Sequence, residues 1–137
     1  MTTPRASRRP YIHMIDSEAD ALTTLALANE ERLPEVSELL LGEIARATVH
    51  DARRIPNDVV TMRSTVTFID ESNDATRTVQ LVYPRDADIS AGRISILTPV
   101  GAGLIGLRAG QSILWPDREG HQRTLTIASV VQSPVNA

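Results

Sequence analysis

The apolar residues of this chain change period once, from 3.6 to 2, across a polar link at residues 50–58, so helices come first and a sheet follows. Before the link, Leu22, Leu25, Ala26 and Asn29 recur at helical spacing. Ser17 with Asp20 three residues on approximates a capping box, which predicts a helix over 17–31. Pro34, suited to a first helical position, opens a second helix over 35–48, with Glu35 and Glu38 in its first turn and Val36, Leu39, Leu40, Ile44 and Ala47 on one face. Residues 31–34 alone separate the two, a connection so short that the helices are expected to pack antiparallel as a hairpin.

After the link, Val60, Met62, Val66 and Phe68 alternate with Thr61, Arg63, Thr65 and Thr67, the pattern of a half-buried strand. Ser72-Asn73-Asp74 supplies a turn, and Val79, Leu81 and Tyr83 mark the returning strand that Pro84 ends. Ile94–Leu97 reads as a third strand, and Thr98-Pro99 as the cap and first position of a short helix to Leu107, stopped by Gly110. Residues 111–115 and 123–131 give two more strands around a turn at 117–120, the last with Leu125, Ile127 and Val131 in register. The predicted fold class is α+β: a helical hairpin, then a mostly antiparallel β-sheet crossed by one short helix.

A chain of 137 residues holds one core with at most a small appendage, and no apolar run reaches the roughly 18 residues of a membrane helix. No hydrophobic segment follows the N-terminal arginines to make a signal peptide. With no cysteine to form a disulfide framework or thiolate metal site, we expect a cytoplasmic protein. The net charge of -3 conceals an asymmetry: residues 1–10 carry +3, residues 11–54 carry -5 and residues 55–137 carry -1. We read 1–10 as a flexible basic tail. A protein that grips nucleic acid by itself usually presents a broad basic face, so nucleic acid is expected to be contacted at most indirectly, through a protein partner.

Gly101-Ala102-Gly103-Leu104-Ile105-Gly106 spells the glycine pattern of dinucleotide-binding folds after a predicted strand, but no long helix, parallel strand and acidic residue follow it. Glycine is expected here because it lets the short helix lie tightly on the sheet. Asp86 and Asp88, beside Pro84 and without a third ligand, read as a loop cap and not as metal ligands. His13, His50 and His121 have no partner at a telling spacing, so each is expected at a surface or strand end. Glu30, Glu31 and Glu35 cluster at the hairpin bend, either as a solvated turn or as carboxylates able to hold a divalent cation on another protein's active site. No cofactor, metal or small-molecule substrate is expected, and no catalytic residue is assigned.

Several blocks carry a resemblance: Ile55-Pro56-Asn57-Asp58 through Val66, Tyr83-Pro84-Arg85-Asp86-Ala87-Asp88, Gly92 through Gly101, and Leu104-Ile105-Gly106-Leu107-Arg108-Ala109-Gly110. They closely resemble the regulators of nucleoside diphosphate kinase, relatives of the bacterial Gre transcript-cleavage factors, over residues 9–133. The resemblance implies an antiparallel coiled coil at 11–50, a domain with the fold of FK506-binding proteins at 55–134, and docking on RNA polymerase at the rim of its secondary channel. It implies polymerase contact through Leu97, Thr98 and Pro99, although Thr98 as a helix N-cap would equally explain the pair Thr98-Pro99. It implies a channel-facing bend at Glu30, Glu31 and Glu35.

The bend lacks the Gly-Asp-x-x-Glu-Asn pattern with which Gre factors bring magnesium to the polymerase centre. About 14 residues per helix also make an arm of only about 21 Å, roughly half that of the long-armed relatives. The expected function is therefore that of a non-enzymatic regulator that competes with Gre-type factors without stimulating transcript cleavage and affects nucleoside diphosphate kinase indirectly. The alternatives are a cleavage factor using the bend carboxylates and, with few aromatic residues to line a pocket, a prolyl isomerase.

Overall fold

A computed structural model describes residues 11–116 and 122–133. The basic segment 1–10, the turn at 117–120 and His121 lie outside them. In chain order the elements are β1 (His13–Ile15), α1 (Asp16–Ala28), α2 (Pro34–Arg46), β2 (Thr48–His50), β3 (Thr65–Asp70), β4 (Ala75–Val82), β5 (Arg93–Ser95), α3 (Pro99–Leu104), β6 (Ser112–Pro116) and β7 (Gln122–Val131), with 3-10 turns at Pro84–Asp86 and Ile89–Ala91. The fold is α+β with a mixed sheet.

Both N-terminal helices form where the 3.6 period runs, one residue earlier than expected. Asp16, not Ser17, opens α1. The Ser17 N–H donates to the Asp16 carboxylate at 2.6 Å, and Ser17 lies inside the first turn without capping it. Pro34 occupies the start of α2, as its missing N–H and fixed φ favour. α1 buries Ala19, Leu22 and Ala26, and α2, packed against both α1 and α3, buries Leu40. These side chains join Val66, Phe68, Val79, Leu81, Leu125 and Ile127 of the sheet in one core.

The strands form a five-stranded sheet in the order β5-β4-β3-β7-β6, antiparallel except for the parallel β4–β5 pair. The expected strand from Val60 begins only at Thr65. The alternation holds from Met62 to Phe68, but Val60, Thr61 and Met62 are buried in succession, so Thr61, expected on the open face, lies inside, and Arg63 takes a left-handed φ of 69° and breaks the ladder. The Ser64 N–H bonds back to the Thr61 carbonyl at 3.1 Å, and the Thr61 N–H donates to Ser64 Oγ at 2.9 Å, closing a turn. A non-glycine residue in this region costs of order 1–3 kcal/mol.

In the middle of β3, its register on β7 slips between Thr67 and Phe68, leaving Ala128 as an extra residue. After the bulge the alternation inverts, so Val130 turns toward the core and Val131, expected inside with Leu125 and Ile127, is 65% exposed.

The glycine pattern at 101–106 packs the short helix. A methyl group on Gly101 would overlap the Ser95 carbonyl oxygen, so α3 lies directly against the backbone leaving β5. Thr98 caps α3, its hydroxyl accepting the Gly101 N–H at 3.1 Å and donating to the Ser95 carbonyl at 2.7 Å. α3 ends at Leu104 rather than Leu107, because Gly106 turns left-handed with φ of 86° where β1 crosses. Gly42, by contrast, has open space around it on α2. Gly101→Ala should therefore destabilise the fold by about 1–3 kcal/mol, as overpacking does. Gly42→Ala should stabilise it by up to about 1 kcal/mol through helix propensity. Urea unfolding midpoints of the two variants, moving in opposite directions, check both.

Candidate functional site

Thr98 and Pro99 follow Leu97 at the start of α3, on the edge of the sheet carrying β5. Leu97 is 8% exposed and belongs to the core, so its side chain holds the loop from inside. The Thr98 hydroxyl is occupied on both sides by the cap, and Pro99 is the exposed member of the three. The neighbouring loop is equally ordered. Asp88 accepts the Ser90 N–H at 3.1 Å and the Ser90 hydroxyl at 2.7 Å, the cap expected of it, while Ile89 stands 88% exposed.

At the other end, residues 29–33 turn the chain from α1 into α2. The Leu33 N–H donates to the Asn29 carbonyl at 2.8 Å, and Arg32 reaches the Asn29 side chain at 2.7 Å. Glu30, Glu31 and Glu35 are all exposed around this bend. Among the described residues no three His, Cys, Asp or Glu side chains converge as a metal site, so the bend presents negative charge without assembling a cage. Each helix of the pair has 13 residues, about 20 Å at 1.5 Å per residue. Burial extends along α1 as far as Ala26, which leaves little beyond the bend to project.

Between these two features lies a junction that the sequence analysis missed. β1 and β2, which flank the two helices, pair in parallel with His13 opposite Thr48 and Ile15 opposite His50. His13 and His50, expected at a surface or strand end, stand at the first position of β1 and the last of β2, where they meet with Nδ1 and Nε2 3.0 Å apart and ring centroids 5.1 Å apart. Burial holds the His13 pKa below its ordinary value. The proximity of His50 and Arg108 adds to that effect, and Asp58 opposes it. Asp58 and Arg108 are themselves paired, with Nε 2.9 Å from Oδ1 and Nη2 3.3 Å from Oδ2. Gln132 fastens the link beside them, donating to the Pro56 and Val59 carbonyls at 2.9 Å each. Three-residue strands and partners 37 positions apart leave no periodic signal, which is why neither the strands nor the histidine pair was legible.

The comparisons with known proteins agree with this geometry. Residues 55–132 match the family model described as the C-terminal part of the transcription elongation factors GreA/GreB. The chain belongs to the GreA/GreB family. Within it, the chain is 36% identical over 107 residues to the regulator of nucleoside diphosphate kinase of Escherichia coli K12, covering 78% of this chain and 79% of that one. Over 98 residues it is 38% identical to the transcription elongation factor GreA of Azorhizobium caulinodans, covering 72% of this chain and 60% of the relative. A solved GreA/GreB elongation factor from Nitrosomonas europaea superposes with a TM-score of 0.71 at 40% identity, covering 90% of this chain and all of that one. Among the described residues, no helix is long and apolar enough to cross a membrane.

The histidine pair gives the Gre-family junction a pH signature. His13 has a folded-state pKa below 6.5, so folding favours its neutral form. Its contribution is fully present above 6.5 and is lost as pH falls through the lowered folded value. Stability measured by urea unfolding should decline over that window, and His13→Gln should flatten the decline.

Proposed function

We propose that this chain is a non-catalytic regulator that docks on RNA polymerase at the rim of the secondary channel, sets its helical pair in the channel mouth and excludes Gre-type cleavage factors. On this reading the helices form a short antiparallel coiled-coil arm, and the β-rich remainder is an FKBP-like docking body. Pro99 makes the contact, Thr98 and Leu97 hold it in place, and the bend with Glu30, Glu31 and Glu35 faces the channel. The carboxylates repel other acidic arms and fill space; they deliver no metal. A polymerase partner places the protein in the cytoplasm, with nucleic acid touched at most through the polymerase and any influence on nucleoside diphosphate kinase exerted through transcription.

One observation carries the reading. Residues 55–132 match the C-terminal part of the GreA/GreB factors, whereas helices of 13 residues make an arm of about 20 Å with three exposed carboxylates that do not converge. Family membership supports the partner, and the short arm supports competition over cleavage.

In a competition assay on backtracked complexes, the protein should suppress cleavage stimulated by a Gre factor and stimulate none itself. Combined replacement of Glu30, Glu31 and Glu35 by alanine should leave that absence of cleavage unchanged. Cleavage by the parent that the replacements abolish identifies an active factor instead. Pro99→Ala should weaken retention of RNA polymerase by the tagged protein about fivefold, the effect of losing roughly 1 kcal/mol at an interface.

A further inference from the structure

The histidine pair between β1 and β2 serves neither docking nor channel filling, and its geometry is close to that of two ligands on one metal ion. His13 Nδ1 and His50 Nε2 stand 3.0 Å apart, with the ring planes tilted by 40°. Neutral imidazole nitrogens suit zinc, copper and nickel, and bind zinc at about 2.0–2.1 Å. Two nitrogens held about 2.1 Å from one ion lie about 3.0 Å apart at a right angle and about 3.4 Å apart at the tetrahedral angle. The pair therefore needs to part by at most about 0.4 Å to take an ion between its rings. His50, half-buried at the last position of β2, can swing by that much.

The backbone brings both ligands to this point without help from the ion. The Thr48 N–H donates to the Ile12 carbonyl at 2.9 Å, and the parallel register makes residues 13 and 50 diagonal neighbours across the β1–β2 ladder. An open groove lined by Val49, His50, Asp51, Arg53 and Arg54 connects the pair with solvent. Two of the cations nearby already face a carboxylate: Arg108 is held by Asp58 at 2.9 Å, and Arg53 lies 3.7 Å from Asp51. Among the described residues no third His, Asp or Glu converges on the pair, so water completes the coordination and binding is weaker than at a four-ligand structural site.

We propose that His13 and His50 form a two-histidine site for a divalent transition-metal ion of the zinc and copper class, which clips β1 to β2 at the feet of the helical pair. The site does not depend on the docking reading. Without the ion, one imidazole donates its ring N–H to the other. The ion takes the place of that proton, which moves to the far nitrogen of the same ring, so both ligands bind as neutral imidazoles and no net proton is released.

Calorimetric titration of the metal-stripped full chain with zinc chloride should show one ion per chain at micromolar affinity. His13→Gln and His50→Gln, which keep a polar side chain at each position, should each weaken binding at least tenfold. Replacing the third histidine of the chain, His121→Gln, should leave it unchanged. The electron paramagnetic resonance spectrum of the copper-loaded parent should show coupling to two imidazole nitrogens, and that of each pair variant to one at most. At free zinc about one hundred times Kd, the unfolding constant of the parent should fall about hundredfold, and that of each pair variant about tenfold at most. A parent that binds neither ion, affinity that survives either pair substitution or is lost with His121, or a copper spectrum with a single nitrogen in the parent overturns the proposal. The spectrum of the parent carries the test if a variant fails to fold.

Discussion

The position of β3 at the centre of the sheet is the constraint on which the remaining structure depends. Its Thr65–Asp70 backbone is paired on one side by β4 and on the other by β7, while Val66 and Phe68 point into the core that α1, α2 and α3 cover. A strand bonded along both edges cannot slide by one residue without sending its apolar side chains into water. The two irregularities of the sheet are placed so as to respect this. The left-handed turn at Arg63 delivers the chain into β3 in register, and the extra residue Ala128 absorbs the mismatch on β7 rather than on β3.

What was legible in the sequence was what repeats. The 3.6 period located both helices to within a few residues, and the period of 2 identified Val60, Met62, Val66 and Phe68 as inward-facing before any strand boundary was known. The expected N-cap at Thr98 and the loop cap at Asp88 rest on side-chain hydrogen bonds within three residues, and both form. The failures have a common physical origin in single-residue backbone choices and long-range pairing. Nothing local forces Arg63 into a left-handed conformation, inserts a bulge before Ser129, or brings His13 to His50 across 37 positions. The glycine pattern at 101–106 is understood only with the Ser95 carbonyl beneath Gly101 and β1 beside Gly106.

The candidate site divides in the same way. Residue types at the bend and at the Thr98 loop were readable, and the blocks of family resemblance include the loop but not the bend. Their unequal exposure was not: Leu97 is interior, the Thr98 hydroxyl is spent on the backbone, and Pro99 alone of the three faces solvent. The charge asymmetry of the chain acquires a location as well, since Glu30, Glu31 and Glu35 stand together at the bend. An exposed acidic cluster of this sort acts at range through its field and depends on ionic strength.

The pairing of β1 with β2 has a further consequence. It fixes the two feet of the helical pair side by side in a parallel register, with the chain entering α1 directly after Ile15 and leaving α2 just before Thr48. Whole turns added to or deleted from both helices beyond this staple would alter reach in steps of about 5.4 Å without disturbing the platform beneath. The architecture is in that sense a ruler of adjustable length on a constant base.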